Sequence, residues 1–163
     1  MTTQEYNQSV DQFSDNLYRF ALKNMRDEEK AKDIVQDTFE RLWMKVTDVN
    51  FEKVKSYLFT TAYNAMVDLS RREKKVGEYN ETKVRRMGHN EQYSDLKEIL
   101  NEALQKLPEI QRSVVMLRDY EGYNYEEIGE ITNLNESQVK VYIFRARKFL
   151  KEYIGSMEAV IWT

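Results

Sequence analysis

The stretch NYEEIGEITNLNESQVKVYIFRARKFLK, residues 124–151, decides how the chain folds. Asn124 stands three residues before Glu127, and Asn135 three before Gln138. Each pair has the form of a capping box, which closes free N–H groups at a helix start. A short helix over 125–131 therefore meets a longer one over 136–153 across the turn TNLN. Two helices joined by a short turn, the second one basic, form the helix-turn-helix pattern.

The second helix has two faces. Val139, Ile143, Ala146 and Leu150 share one side, flanked by Tyr142 and Phe149, and should pack inward. Ser137, Lys140, Val141, Phe144, Arg145 and Lys148 share the other. Lysine and arginine neutralise phosphates or bond guanine edges, and apolar side chains meet thymine methyls. A recognition helix reads bases mainly through its N-terminal half. Lys140, Val141, Phe144 and Arg145 are thus the candidate base readers, with Arg147, Lys148 and Lys151 nearer phosphates. By its face alone the helix is equally a solvated basic surface, favoured near a helix C-terminus by the dipole. The turn and the short helix before it tip the reading towards DNA.

Upstream, the second half carries Leu96, Ile99, Leu100, Ala103, Leu104 and Leu107 at helical spacing. Pro108 opens the next helix, a position where its missing N–H costs nothing. Val114, Val115 and Leu117 form that helix's apolar side, and EGYN at 121–124 makes a turn. The first half reads as three helices. Phe13, Leu17, Phe20 and Ala21 mark the first; Ala31, Ile34, Val35, Phe39, Leu42, Trp43 and Val46 the second. DVNF at 48–51 breaks the pattern, and Val54, Tyr57, Leu58, Thr61, Ala62, Ala65, Met66 and Leu69 mark the third. Between the halves, periodicity fails over the charged stretch 72–93. About 20 extended residues reach at most ~70 Å, enough to place the halves on separate surfaces.

Composition agrees. With 163 residues, 41% hydrophobic and 33% charged, the chain suits one domain or two small ones. Five glycines and one proline favour an all-α chain. The absence of cysteine and the single histidine, His89, exclude disulfides and thiolate metal sites and disfavour a metal centre. No run of about 18 apolar residues exists, so the chain reads as cytoplasmic. The net charge of −3 hides two basic islands. Residues 71–86 carry seven basic and three acidic side chains, and 137–153 five and one. Residues 87–136 carry four and eleven. Local patches rather than net charge make phosphate footprints.

The first island ends the third helix with Arg71, Arg72, Lys74 and Lys75. Phe59 and Tyr63 lie one turn apart beside Asn64, off the main apolar stripe. Aromatic rings beside an amide and a basic cluster fit unpaired nucleic acid, whose bases stack. The plainer reading is that both rings pack under a loop such as 49–53. On the second helix Asp33, Gln36, Asp37, Glu40 and Arg41 form a polar, mostly acidic face, either solvated or a docking surface for a protein.

The segments AKDIVQDTFERLW, SYLFTTAYNAMVDLSRREKK and LPEIQRSVVMLRDYEGYNYEEIGEITNLNESQVKVYIFRAR together resemble the extracytoplasmic-function (ECF) class of sigma-70-type RNA polymerase sigma factors. The likeness spans about residues 10–153. It implies two small helical domains joined by a flexible linker: 1–75 as sigma region 2, 76–94 as linker, 95–155 as sigma region 4, and 156–163 as a tail. It implies that the face with Asp33, Gln36, Asp37, Glu40 and Arg41 binds the core polymerase clamp. Phe59, Tyr63, Asn64, Arg71, Arg72, Lys74 and Lys75 would hold the melted −10 element, with Asn64 at a flipped base. Ser137, Gln138, Lys140, Val141, Phe144, Arg145, Arg147 and Lys148 would read the −35 element. The chain departs from the pattern at Tyr57, often Trp; at Gln138, often Thr; and at Val141, often small or polar.

The resemblance implies a subunit that directs promoter recognition and transcription initiation without catalytic residues, cofactor, metal or small-molecule substrate. Its partners would be core RNA polymerase, promoter DNA and an anti-sigma factor, which in the family often sits at the inner membrane. The alternative is a stand-alone helix-turn-helix regulator. An enzyme is disfavoured by the lack of a phosphate loop, a nucleophile with its base, or a ligand cluster.

Overall fold

The computed structural model describes residues 1–76 and 93–162, with side chains described for 1–74 and 96–156. The linker expected at 76–94 falls almost wholly outside the described residues, and so does His89. Helices follow in order: α1 Thr3–Met25, α2 Glu28–Met44, a 3₁₀ turn Phe51–Lys53, α3 Val54–Val76, α4 Tyr93–Lys106, α5 Glu109–Asp119, α6 Tyr125–Thr132 and α7 Glu136–Trp162. No strand occurs among the described residues.

The first half is a three-helix unit. A capping box starts α1: Glu5 N–H donates to Thr2 Oγ1 at 3.0 Å, and Thr2 N–H to Glu5 Oε1 at 2.9 Å. Arg26 ends it in the left-handed region at φ 57°, and Asp27 at once caps α2 by accepting from Lys30 N–H at 3.1 Å. This tight reversal sets α1 and α2 side by side. Leu17, Phe20 and Ala21 meet Ala31, Ile34 and Leu42, and all are buried. Val54, Leu58, Ala62 and Met66 of α3 close that core. Each large apolar side chain so buried contributes roughly 1.5–3 kcal/mol. The second-helix stripe needs one correction: Trp43 is 49% exposed. Its ring leans on Tyr6, 5.0 Å between centroids, at the rim of the core.

In the second half, Leu104 of α4, Leu107 just beyond it, Ile128 and Ile131 of α6, and Val139, Ile143 and Ala146 of α7 are buried in one core with α5. The six residues from Arg112 to Leu117 are all buried. A helix covered all round has neighbours on both sides, and the second neighbour of α5 is α1. Pro108 sits one position outside the helix, as its N-cap, rather than at the first helical residue. Helix α7 continues to Trp162, so residues 156–162 extend the helix instead of forming a separate tail. Gly155 does not end the helix, since a single helical glycine costs only about 1 kcal/mol. The side chains of Ile161 and Trp162 lie outside the description.

The two halves are packed against each other. Asn24, near the end of α1, accepts from Arg112 Nε at 2.9 Å and Ser113 Oγ at 3.3 Å. Lys23 Nζ donates to Asn101 Oδ1 at 2.6 Å, Ser70 Oγ to Glu109 Oε2 at 2.8 Å, and Gln105 reaches the Lys23 carbonyl. The EGYN turn, with Gly122 at φ 77°, inserts between α1 and α3.

Candidate nucleic-acid interface

Both capping boxes of the helix-turn-helix form. Asn124 Oδ1 accepts from Glu127 N–H at 2.8 Å, and Asn124 N–H donates to Glu127 Oε1 at 2.9 Å. Asn135 and Gln138 repeat the exchange at 2.8 and 3.0 Å. Between them Asn133 takes the left-handed conformation at φ 62° and turns the chain. The turn is tight enough that a Cβ on Gly129 would lie 2.6 Å from the Leu134 carbonyl oxygen.

This fixes the outward face of α7. Ser137, Gln138, Lys140, Val141, Phe144, Arg145, Arg147 and Lys148 are all exposed, while Val139, Ile143 and Ala146 are buried as their spacing demands. Phe144, 67% exposed, and Val141, 44% exposed, form an apolar ridge. A shallow groove on one side is lined by Tyr125, Lys140, Phe144, Arg147, Lys148 and Lys151. A second groove, on the other side, runs past Ser137, Gln138, Val141 and Arg145. An apolar ridge between polar and cationic grooves suits a DNA major groove, where methyls, acceptor edges and flanking phosphates lie close together.

Three of these side chains have other engagements. The Gln138 carbonyl oxygen is held by its own cap, leaving the NH₂ to face outward. Lys140 pairs with Glu136 at 3.4 Å, an exposed pair of little energetic weight. Arg147 grips Asp119 of α5 through both Nε and Nη2. It therefore ties α7 to α5 as well as lying near the groove. Arg145 and Lys148 have no ion pair among the described residues.

On α2, Asp33, Gln36, Asp37, Glu40 and Arg41 are exposed, and none makes a side-chain hydrogen bond or ion pair among the described residues. Beside them Trp43 and Met44, the latter 78% exposed, add apolar area. Sequence periodicity missed both, because it assigned Trp43 to the core stripe and passed over Met44.

Comparisons with known proteins agree along both halves. The family Sigma-70 region 2 matches residues 10–76, and Sigma-70, region 4 matches 97–150. The ECF RNA polymerase sigma factor SigM of Bacillus subtilis is 31% identical over 147 residues, 85% of this chain and 88% of SigM. The chain belongs to the ECF sigma factor family. SigV of the same organism is 30% identical over 139 residues, 83% of this chain and 82% of SigV. Among solved structures, the sigma factor RpoE in complex with the anti-sigma factor NepR from Bartonella quintana is similar at TM-score 0.80 and 26% identity. The match covers 94% of this chain and 98% of that one. The match to both regions disfavours a stand-alone helix-turn-helix regulator.

In this sigma factor the −10 candidates divide. Asn64, Arg71, Arg72 and Lys74 are exposed on α3, and the Lys75 side chain lies outside the description. Phe59 is fully buried and Tyr63 is 9% exposed. Phe59 lies between Phe20, 5.4 Å away, and Tyr123 of the second half, 5.7 Å away. Burial, with Glu109 near by, pushes the Tyr63 hydroxyl above its ordinary range. Both rings are thus covered, and stacking on a base requires the second half to withdraw. Sequence reasoning missed what covers them, because the α5–α6 turn meets α3 only through tertiary packing.

Proposed function

We propose that this sigma factor reads the −35 element as duplex through α7 and the −10 element as unpaired strand through α3, while the acidic face of α2 docks on core RNA polymerase. The observation that carries the reading is the presence, on one chain, of two exposed surfaces of opposite chemistry. A cationic–apolar face on α7 suits DNA, and an exposed, mostly acidic face beside Trp43 and Met44 on α2 suits a protein. Arg145 and Lys148 are free to meet guanine edges and phosphates, and Val141 and Phe144 to meet methyl groups. Asn64, Arg71, Arg72 and Lys74 form the polar part of the single-strand face. Strand separation draws on binding energy for an unstacked base, so the chain needs no chemistry of its own.

A packed chain resembling an anti-sigma-bound relative supports an anti-sigma factor as a further partner. No helix among the described residues is long and apolar enough to cross a membrane. Work in the cytoplasm, with membrane contact only through such a partner, fits that pattern. Co-elution with bacterial core RNA polymerase tests the reading. Wild type should bind stoichiometrically, and the Asp33→Ala/Asp37→Ala variant should bind more weakly. Tight binding to a palindromic duplex with no affinity for polymerase would overturn it.

A further inference from the structure

The α5–α6 turn makes an unusual set of contacts. The Glu121 side chain is fully buried between α1 and α3. Its carboxylate accepts from Arg19 Nη2 at 2.8 Å and Asn16 Nδ2 at 3.1 Å, and its carbonyl accepts from Lys55 Nζ at 3.2 Å. The rings beside it are also met by cations. Arg19 lies 5.4 Å from the Tyr120 centroid, and Lys55 lies 4.6 Å from that of Tyr123. Tyr123 in turn packs edge-on against Phe59. The turn therefore offers α1 and α3 a ring, an anion and a second ring. Cations and an aromatic ring answer them, the combination by which proteins grip unpaired strands.

The fit is incomplete. Arg19 Nε is buried without a hydrogen-bond partner among the described residues, and so is the Tyr123 hydroxyl. Burial, reinforced by Glu121, raises that hydroxyl's pKa. Ser56 lies near enough to ease the shift but short of hydrogen-bonding geometry. A guanidinium forms its strongest contacts two at a time, and here one of the two donors is idle. A phosphate could meet Nε and Nη2 together.

We propose that Asn16, Arg19, Lys55 and Phe59 form a contact site for unpaired DNA strand, which Tyr120, Glu121 and Tyr123 occupy in the packed chain as internal stand-ins for base, phosphate and base. The site extends the α3 face onto α1, and it rests on the reading of α3 as the single-strand helix. The same contacts make the packed chain a competitor of its own DNA. Duplex reading by α7 stays available in that state, while single-strand reading does not.

The test is fluorescence anisotropy of a labelled random-sequence single-stranded DNA 12-mer with the full chain. Glu121→Ala removes the anion, and Tyr123→Leu separately removes the ring while keeping apolar bulk; circular dichroism confirms that each variant is folded. Each should bind the oligonucleotide about tenfold more tightly than wild type. Adding Arg19→Ala or Lys55→Ala should cancel the gain. Each added change should also flatten the log–log salt dependence by about 0.7, the share of one phosphate on a single strand. No gain in either folded variant overturns the proposal. A gain that survives Arg19→Ala and Lys55→Ala but disappears with Arg71→Ala/Arg72→Ala also overturns it, while leaving α3 as the single-strand helix. Co-elution with core polymerase, which Arg19→Ala and Lys55→Ala should not alter, reports separately on whether the underlying sigma reading holds.

Discussion

Arg145 stands exposed on α7 with no ion pair among the described residues, one turn beyond Val141. A good bidentate base contact discriminates by about 1–3 kcal/mol. Arg145→Ala should therefore reduce −35-dependent initiation by about tenfold or more in a reconstituted transcription assay, and leave polymerase binding intact. Asn64→Ala should instead blunt discrimination among −10 sequences, read by initiation from a set of single-base promoter variants. If both variants transcribe like wild type, these two residues are wrongly placed. Gly129 makes a different point. Its missing Cβ leaves room for the Leu134 carbonyl, which a methyl group would approach to 2.6 Å. Because the obstacle is backbone, Gly129→Ala should force α6 and α7 apart and cost about 1–3 kcal/mol. A lowered urea midpoint with an unchanged slope would show it; an unchanged midpoint would mean that the turn has slack.

Among the elements, α6 and α7 depend on their caps. Asn124→Ala and Asn135→Ala each remove a side-chain acceptor at a helix start, and each should cost about 1 kcal/mol of stability. Asn135→Ala also frees Gln138, so its effect on promoter choice should exceed that of Asn124→Ala. Competition between promoter templates measures this. Helix α2 serves two neighbours. Its inner stripe holds Ile34 and Leu42 in the core, and on its outer face Asp33 and Asp37 have no ion pair among the described residues. Changing that outer face should therefore weaken polymerase docking and leave the melting temperature within a degree or two, since surface substitutions rarely exceed about 0.5 kcal/mol. Helix α5 is buried from Arg112 to Leu117, because α7 covers one side and α1 the other, and only Asp119 at its end is exposed.

The packed state of the whole molecule can be tested by fixing it. The chain has no cysteine, so Ser70→Cys/Glu109→Cys adds two thiols at a contact between the halves. A short bismaleimide bridging them should preserve duplex binding through α7 and abolish promoter melting, scored by permanganate reactivity of unpaired thymines. Melting at the uncrosslinked rate would show that the packing does not oppose it. The tyrosines at this interface add a pH dependence. Burial raises the hydroxyls of Tyr63, Tyr120 and Tyr123 above the ordinary 10.0. The packed state thus prefers them protonated. Their stabilising share is fully present below about pH 10 and is lost as pH rises towards the raised values. Lys23 and Arg112, pushed down by burial, work in the opposite sense. Three tyrosines against two cations, with the shift of Tyr123 a large one, predict that the halves separate in alkali, seen as a larger radius of gyration by X-ray scattering.

The helical class, the helix-turn-helix with both caps, and the outward faces of α2 and α7 follow from the sequence alone. Those features depend on period, capping spacing and local charge, all carried by residues within a few turns of each other. Tertiary structure decided the fate of Phe59, Tyr63, Glu121 and α5. Periodicity places a ring off one stripe, but burial depends on every neighbour, and the neighbours of Phe59 lie 39 residues before it and 64 after it, at Phe20 and Tyr123. Glu121 read as one more acid in an acidic stretch. Only the approach of α1 gave its carboxylate the two donors, Asn16 and Arg19, that make burying it tolerable.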